Sequence, residues 1–427
     1  MNLYDIIRPP ATVGLTVYFR KIYFTGSENI PQDKPVLFAV NHPTAFLDPC
    51  LMACFQNRKL HFLARGDFFI NRVATAVLHS LNIIPIFRLK DGGFSNIKQN
   101  YATFARCFEY LGQGDTIMIL AEGGTKHEKR LRPLKKGTAR IAFGTLEKYP
   151  DLDLQIVPVG VNYTYAERYR SEVMIQCGKP IAAQDYLKIY QENPNRGVRK
   201  LLVELKQRMA ANMVIIEKEE DEWLAEQLFQ LKRHEQADPF FPLVKDNPMP
   251  LQREQSVCKW INQATGNEKI AKQKAVKNYQ TELAKAHVSD FGLQHTSEDL
   301  TSKTLLLIIG FIPFLMGYLA NFFPLRLGKW IGDKTAPHIT FYSSITAVSG
   351  MLAWIFYFIT LLIISSLANT PLDLYLAIGI AFLLPFLGYF ALYYQHTFRH
   401  WQAIRRAKKL SPACQATLLQ LRPTPVL

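Results

Sequence analysis

A histidine and an aspartate stand six positions apart on one short turn. His42 and Asp48 lie in the segment Asn-His-Pro-Thr-Ala-Phe-Leu-Asp-Pro, which follows the apolar run at residues 35–40. A neutral imidazole takes the proton from an attacking alcohol when a carboxylate fixes its tautomer and stabilises the imidazolium that forms. The pair therefore indicates general-base activation of a hydroxyl, and no serine or cysteine nucleophile is required if that hydroxyl belongs to the substrate. The alternative is a capped turn without chemistry.

Three apolar blocks follow along the chain, and each is predicted to be a buried strand. The first ends in a guanidinium, the second runs into a carboxylate and a glycine pair, and the third carries a central proline. Glycines allow backbone N–H groups to approach an anion closely. Each block is a weak signal alone, whereas the ordered set is specific. The blocks are residues 83–88 with Arg88, residues 117–126 with Glu122, Gly123 and Gly124, and residues 155–161 with Pro158.

These residues resemble the glycerolipid acyltransferase family, whose members acylate glycerol-3-phosphate and lysophosphatidic acid. The family has four sequence blocks in a fixed order. The first pairs a His with an Asp after an Asn, and the second ends in an Arg that binds phosphate. The third is a Pro-Glu-Gly turn, and the fourth is an apolar strand with a central Pro. The resemblance covers about residues 15 to 185. The matching positions are Asn41, His42, Asp48 and Pro49, then Arg88, then Ala121, Glu122 and Gly123, and finally Pro158.

The chain departs from the family pattern at several positions. Five residues separate His42 from Asp48, where four are commonest, and this longer turn is similar to that of the fungal and bacterial glycerol-3-phosphate acyltransferases. Asn82 stands where the second block usually has Gly, Ala121 replaces the usual Pro, and Lys126 lies near a position that is often Arg. None of these changes removes a proton-transfer group.

The resemblance implies a role for each residue of the blocks. The His is the general base, the Asp orients it, and backbone N–H groups near the glycine turn stabilise the oxyanion, each well-placed donor contributing about 3 to 4 kcal/mol. Basic side chains bind the acceptor phosphate, and the turn carboxylate holds a glycerol hydroxyl or orients a cation. No metal and no cofactor is expected. The base and its partner are His42 and Asp48, the turn is Glu122, Gly123 and Gly124, and the candidates for binding phosphate are Arg88, Lys126 and Arg65. For Arg65, a surface salt bridge is an equal alternative.

The composition favours a membrane-surface protein. Lys and Arg number 50 against 35 acidic residues, and a net charge of +15 attracts anionic lipid headgroups, phosphorylated substrates and acidic acyl carriers. No zinc spacing, RNA-binding signature or basic heptad region of the sequence supports a nucleic-acid partner. The six cysteines form no paired framework, so reduced thiols in a cytoplasmic compartment are expected.

The chain divides into four predicted regions. An α/β sandwich catalytic domain, expected from alternating strands and helices, includes a helix at residues 11–24 that is expected to be interfacial, with ordinary core packing as the alternative. A charged helical region follows, in which apolar residues recur at spacings near four and give each helix one face for packing on the catalytic domain. An α-helical membrane domain and a basic cytoplasmic tail complete the chain. The boundaries are 1–185, 186–302, 303–395 and 396–427.

Three segments of the membrane domain are long and apolar enough to cross a bilayer of about 30 Å. Residues 341–367 and 374–394 are joined by a loop without Lys or Arg, whereas the 324–340 stretch and the tail are basic. Because basic segments stay cytoplasmic, the second and third segments should form a hairpin. Gly310, Pro313 and Gly317 make segment 305–323 breakable, so it is expected to be re-entrant or in-plane rather than spanning.

The sequence therefore predicts a membrane-bound O-acyltransferase with its catalytic domain on the cytoplasmic face, in the bacterial inner membrane rather than the endoplasmic reticulum. Its expected partners are membrane lipids, acyl-CoA or acyl carrier protein as donor, and glycerol-3-phosphate or a lysophospholipid as acceptor. A catalytically silent lipid-binding or scaffold protein on the same fold is one alternative. A membrane hydrolase is the other, although the sequence lacks the Gly-x-Ser-x-Gly elbow that would present a nucleophile.

Overall fold

The computed structural model describes residues 2–87, 95–236, 238–367 and 371–424, without the side chains of residues 95–99, 365 and several positions between 371 and 381. The predicted substrate residue Arg88 lies outside these ranges. The described chain forms two compact units, both of them discontinuous in sequence. The first comprises Met1–Ile215, Leu243–Leu251 and Pro337–Ser344, and the second comprises Ile216–Pro242, Gln252–Ala336 and Ile345–Leu427.

A mixed β-sheet of nine described strands forms the centre of the first unit. Its order is β4-β3-β5-β2-β6-β7-β1-β9, with β8 paired to β6. Strands β2, β3, β4, β5 and β6 pair in parallel, and β7 turns antiparallel against β6. The strands are β1 Lys21–Thr25, β2 Val36–Val40, β3 Leu60–Arg65, β4 Ile83–Ile86, β5 Thr116–Leu120, β6 Gln155–Tyr163, β7 Glu172–Cys177, β8 Ile181–Ala182 and β9 Val244–Lys245.

Helices cover this sheet and close its core. Apolar side chains of the fourth, fifth and seventh helices pack on β2, β5 and β6 in one cluster that includes Leu111, Phe143 and Leu205. The predicted α/β class is therefore confirmed for this unit. The helices are α1 Leu3–Tyr18, α2 Leu47–Phe55, α3 Arg72–Ser80, α4 Ser95–Gly112, α5 Gly137–Lys148, α6 Leu187–Glu192 and α7 Pro194–Ala211, and short 3₁₀ turns occur at Ser27–Asn29, Gly66–Phe68 and Ala183–Tyr186.

Two sequence boundaries differ from the structure. The expected helix over residues 11–24 is wrong at its end, because α1 ends at Tyr18 and residues 21–25 form the fully buried strand β1 between β7 and β9. A short run of aromatic and β-branched residues suits a strand as well as a helix, and pairing on both edges decides the outcome. The first unit also extends to residue 215 rather than 185, since the apolar face of α7 packs into its core.

The second unit is helical apart from its connections. It includes the charged helices that follow the first unit and most of the apolar C-terminal segments. The first turns of α9 and α14 belong to the first unit. The helices are α8 Glu222–His234, α9 Met249–Gln263, α10 Gly266–Lys285, α11 Asp290–Gln294, α12 Thr301–Ile309, α13 Phe311–Thr335, α14 Ile339–Ser366, α15 Pro371–Lys408 and α16 Pro412–Leu421, with a 3₁₀ turn at Glu219–Asp221.

Among the described residues, one helix is long and apolar enough to cross a membrane by itself, at Ile339–Ile364. Helices α12 and α13 meet the same criterion together, but they are bent by 59° at their junction. The junction is Gly310, one of the positions at which the sequence predicts a break. This geometry fits either a broken span or a re-entrant segment.

Small residues bring the apolar helices into close contact. A Cβ atom added to Gly317 of α13 would lie 2.1 Å from the carbonyl oxygen of Leu387 in α15, and one added to Gly328 would lie 2.5 Å from the Cα of Gly350 in α14. The buried amide of Asn321 accepts a hydrogen bond from the Trp354 indole at 2.9 Å. Close glycine contacts and polar side-chain hydrogen bonds between helices are typical of helices that pack within a bilayer. Large apolar side chains on the outward faces are exposed, among them Ile312, Leu319, Phe356 and Phe386.

Candidate active site

The site lies at the carboxyl ends of two neighbouring parallel strands. Strands β2 and β5 end in register, with Val40 opposite Leu120, and the Ala121 N–H donates to the Val40 carbonyl at 2.9 Å. His42 and Glu122 therefore each stand two residues beyond a strand end. This register brings the two residues close together, and the backbone N–H of His42 donates to Glu122 Oε2 at 3.0 Å.

The side chain of Asn41 fixes the loop at residues 41–48, which carries His42 and Asp48, to strand β6 on the other side of β2. This segment is called the catalytic loop below. Its side-chain amide donates to the Val161 carbonyl at 2.9 Å, and its side-chain oxygen accepts from the Val161 N–H at 2.7 Å. This pair of bonds extends the β2–β6 ladder by one position with a side chain in place of backbone. Asn is suited to this position because a short amide offers both a donor and an acceptor.

The predicted base and its carboxylate are in direct contact. His42 Nδ1 lies 3.0 Å from Asp48 Oδ2, and the Asp48 side chain, in the first turn of α2, is fully buried. A carboxylate only accepts, so Nδ1 carries the proton and Nε2 is the basic nitrogen of the neutral ring. The geometry matches the one that activates a hydroxyl in an acyl transfer.

Asp48 receives three further hydrogen bonds that the sequence does not reveal. The Thr44 N–H donates to Oδ2 at 3.1 Å, the Thr44 hydroxyl donates to Oδ1 at 2.7 Å, and the Tyr163 hydroxyl donates to Oδ1 at 2.6 Å. Burial, together with the charge of Asp48, raises the pKa of Tyr163 well above its ordinary value, so the phenol remains a donor. Both carboxylate oxygens are thus held by protein donors, and the orientation of Asp48 toward His42 is fixed.

Glu122 is held by an arginine that sequence analysis misses. Arg132 donates its backbone N–H to Glu122 Oε1 at 2.9 Å and its guanidinium to Oε2 at 2.8 Å. The same guanidinium donates to the carbonyl of Gly124. Together with the His42 N–H, these contacts engage both carboxylate oxygens of Glu122. Glu122 thus links the catalytic loop to the glycine turn through hydrogen bonds. Its expected contact with substrate stays a prediction.

The glycine turn closes on the catalytic loop. Gly123 has φ of +67°, a left-handed conformation that favours glycine, and the Lys126 N–H donates to the His42 carbonyl at 3.3 Å. The Lys126 ammonium is well exposed and pairs with Glu128 at 2.8 Å. Arg65 is also exposed and pairs with Asp67, the salt bridge foreseen as its alternative role. Gly124 lies beside Arg132, so the turn has a basic rim.

The first turn of the apolar helix α14 also supports the catalytic loop. Residues 337–344 belong to the first unit. The Ala45 N–H donates to the Thr340 carbonyl and the Phe46 N–H donates to the Ser344 hydroxyl, each at 3.0 Å. These two loop residues lie between His42 and Asp48. Ser344 is 298 positions from Phe46 along the chain, so the geometry of the loop depends on a segment that is distant in sequence.

Comparison with known proteins agrees with this geometry. A family model described as Acyltransferase matches residues 21–162, the stretch that contains both strand ends and the His42–Asp48 loop. The chain carries a domain of the glycerolipid acyltransferase family. The match begins at β1 and ends one residue before Tyr163, whose hydroxyl completes the environment of Asp48.

The acyltransferase domain has relatives in yeast and plants. It is 37% identical over 103 residues to glycerol-3-phosphate O-acyltransferase 1 of Saccharomyces cerevisiae, a match covering 24% of this chain and 14% of the relative. It is 28% identical over 135 residues to the chloroplastic 1-acyl-sn-glycerol-3-phosphate acyltransferase BAT2 of Brassica napus, covering 31% and 37%. The chain thus matches well under two thirds of the length of either relative.

One solved structure is similar to part of the chain. It is the 1-acyl-sn-glycerophosphate acyltransferase of Thermotoga maritima, with 19% sequence identity and a TM-score of 0.32. The similar region covers 46% of this chain and 79% of that protein.

The Tyr163 hydroxyl generates a first prediction. Tyr163→Phe should lower the rate of acyl transfer about tenfold, because a hydrogen bond to a charged group contributes about 1.5 kcal/mol or more. The loss also leaves the Asp48 charge with one hydrogen-bond donor fewer, which strengthens its attraction for the imidazolium and should move the acid limb of the pH–rate profile to higher pH. The measurement is kcat against pH for the purified protein.

Tyr18→Phe is the matched control. The Tyr18 hydroxyl is also buried but has no hydrogen-bond partner among the described residues. It should therefore leave both rate and pH profile unchanged. An unshifted profile in Tyr163→Phe, or equal losses in the two variants, would contradict a positioning role for Tyr163.

The α14 contact generates a second prediction. Ser344→Ala should reduce kcat about fivefold, since the Phe46 N–H loses its acceptor and a typical hydrogen bond contributes about 1 kcal/mol. Ser343→Ala is the control, because the Ser343 hydroxyl is buried without a hydrogen-bond partner in the described part of the chain. Steady-state kinetics of the two variants side by side checks this. Equal activity in both would show that the loop does not need the Ser344 hydroxyl.

Proposed function

We propose that this protein is a membrane-bound acyltransferase that transfers a fatty acyl chain from an acyl thioester to a hydroxyl of glycerol-3-phosphate or of a lysophospholipid. The observation that carries the proposal is the buried His42–Asp48 pair, 3.0 Å apart, at the strand ends of a domain in this family. The relatives' names supply the acceptor classes, since one acts on glycerol-3-phosphate and another on its 1-acyl derivative.

The proposed reaction is one proton-coupled acyl transfer. Nε2 of His42 takes the proton from the acceptor hydroxyl as its oxygen attacks the thioester carbonyl. The tetrahedral oxyanion is stabilised by backbone N–H groups near the turn of Glu122, Gly123 and Gly124. The intermediate then collapses, the carbon–sulfur bond breaks, and the thiolate takes the proton back from His42. Asp48 holds the ring throughout and stabilises the imidazolium.

Basic side chains recognise the acceptor phosphate in this proposal. Arg88 is the principal candidate, from its place two residues beyond the last residue of β4, Ile86. Lys126 and Arg65 lie near their respective strand ends with exposed, charged groups. The donor is acyl-CoA or acyl carrier protein, both of which carry phosphate or carboxylate groups that the net charge of +15 attracts.

The C-terminal helices are proposed to anchor the protein in a membrane. One helix is long enough to span, and the helices α13, α14 and α15 combine exposed apolar faces with close glycine contacts. The basic residues in the last turns of α13, Arg326, Lys329 and Lys334, and those of the tail support a cytoplasmic position for these segments under the positive-inside rule. We place the catalytic unit on that side too, at the bacterial inner membrane.

The catalytic assignment is tested by removing the imidazole. His42→Ala should reduce acyl transfer at least a hundredfold, because a positioned base contributes about 10² to 10⁴ in rate. Purified membranes are supplied with glycerol-3-phosphate or lysophosphatidic acid and with either donor, and products are identified by mass spectrometry. The control His79→Ala removes an exposed histidine of α3 and should be neutral. More than a tenth of the activity remaining in His42→Ala would reject the base assignment.

Membrane topology gives a separate prediction. Single cysteines at Lys334, Asn369 and Ala413, in a cysteine-free background, are probed with an impermeant thiol reagent on intact cells. Only position 369 should be labelled, because the flanking basic segments stay cytoplasmic. Labelling at 334 and 413 but not at 369 would establish the opposite orientation or three full spans.

A further inference from the structure

Three side chains with metal-ligand chemistry converge in the second unit, far from His42 in sequence. They are Asp238, His396 and His400, all partly buried, and one ligand atom from each lies within 4.8 Å of the others. This is the one group of three or more His, Cys, Asp or Glu residues with such convergence in the part of the chain that the structure describes. The proposed acyl transfer uses none of them.

The two histidines are presented by one rigid element. His396 and His400 are four positions apart near the end of the helix α15, so they lie on the same face one turn apart. Their ring centroids are 4.0 Å apart. A His pair with this spacing on a helix is a recurrent zinc-binding arrangement.

The tautomer of His396 is determined by its contact with Asp238. Nε2 of His396 lies 2.9 Å from the backbone carbonyl oxygen of Asp238. A carbonyl only accepts, so Nε2 carries the proton and the lone pair of the neutral ring is on Nδ1. Donation of one ring N–H to a backbone carbonyl is the usual outer contact of a metal-binding histidine, because it fixes the orientation of the ring.

Aromatic side chains restrain both rings. Phe240 lies against His396 with a centroid distance of 5.6 Å, and Phe291 lies against His400 at 4.3 Å. Phe240 belongs to the same Pro-rich connector, residues 238–242, that supplies Asp238. The three ligand residues are thus held on two elements by a partly apolar surrounding that limits access of water.

We propose that Asp238, His396 and His400 bind one divalent ion of the zinc type, with water as the fourth ligand. Two imidazoles and one carboxylate are a ligand set that suits zinc and excludes calcium or magnesium, which need more oxygen ligands. Tetrahedral coordination places ligand atoms about 3.4 Å apart. Side-chain rotations that move the ligand atoms by about an ångström therefore complete the site. The ion ties the 238–242 connector to the cytoplasmic end of α15, and this role is independent of the proposed acyl transfer.

The test is direct zinc binding by the full chain. The protein, purified in detergent without a polyhistidine tag and treated with chelator, is titrated with zinc against a chromophoric competitor. One zinc per chain with a dissociation constant of about 1 μM or tighter is expected, together with a rise in melting temperature. Cobalt should give the strong visible absorption of a tetrahedral site.

Single variants separate the site from adventitious binding. His396→Gln, His400→Gln and Asp238→Asn should each weaken zinc binding at least tenfold and abolish the cobalt absorption, while His79→Gln should bind zinc like the unaltered protein. Size-exclusion profiles identify any variant that fails to fold, and Asp238→Asn, which keeps the side-chain shape, then decides. The proposal is overturned if the unaltered protein binds no stoichiometric zinc, or if all three ligand variants bind it with unchanged affinity.

Discussion

The parallel register of β2, β5 and β6 is the constraint on which the site depends. Because β2 and β5 end opposite each other, the residues that follow them emerge side by side, and the His42 N–H meets the Glu122 carboxylate. The same strand β2 is paired on its other edge to β6, where Asn41 continues the ladder and Tyr163 ends the strand. A slip of one residue in either pairing would turn these side chains to the opposite face of the sheet. The approach of His42 to Glu122 is therefore a consequence of strand register.

Asp48 shows how a buried charge is tolerated in such a site. A carboxylate without partners would be costly in an apolar interior, yet four donors from three residues surround this one. Three of these donors, from Thr44 and Tyr163, orient the carboxylate toward His42. The hydrogen bonds that offset the cost of burying the Asp48 carboxylate also fix its orientation, and a general base needs a partner with a fixed orientation.

Sequence reasoning found the groups that are close together along the chain. His42 and Asp48 are six residues apart, and the glycine turn adjoins Glu122, so local pattern was sufficient for them. Tyr163 and Ser344 were missed because they are 115 and 298 residues from their partners, and only the folded sheet and the start of α14 bring them near. Arg132 was missed because one arginine among many basic residues has no distinguishing spacing. The predicted helix includes residues 21–24 of β1 because so short a segment, with three apolar or aromatic residues in a row, carries no period that excludes a strand.

The discontinuity of the first unit has a consequence for how the protein is made. The catalytic unit includes residues 243–251, which contain the edge strand β9, and residues 337–344, whose backbone and hydroxyl groups hold the loop after His42. Chain synthesis proceeds from the amino terminus, so about four fifths of the polypeptide must leave the ribosome before this unit has all its parts. The last part to arrive is the beginning of the most apolar helix. Until the start of α14 has emerged, the loop after His42 therefore lacks the hydrogen-bond acceptors that Thr340 and Ser344 supply.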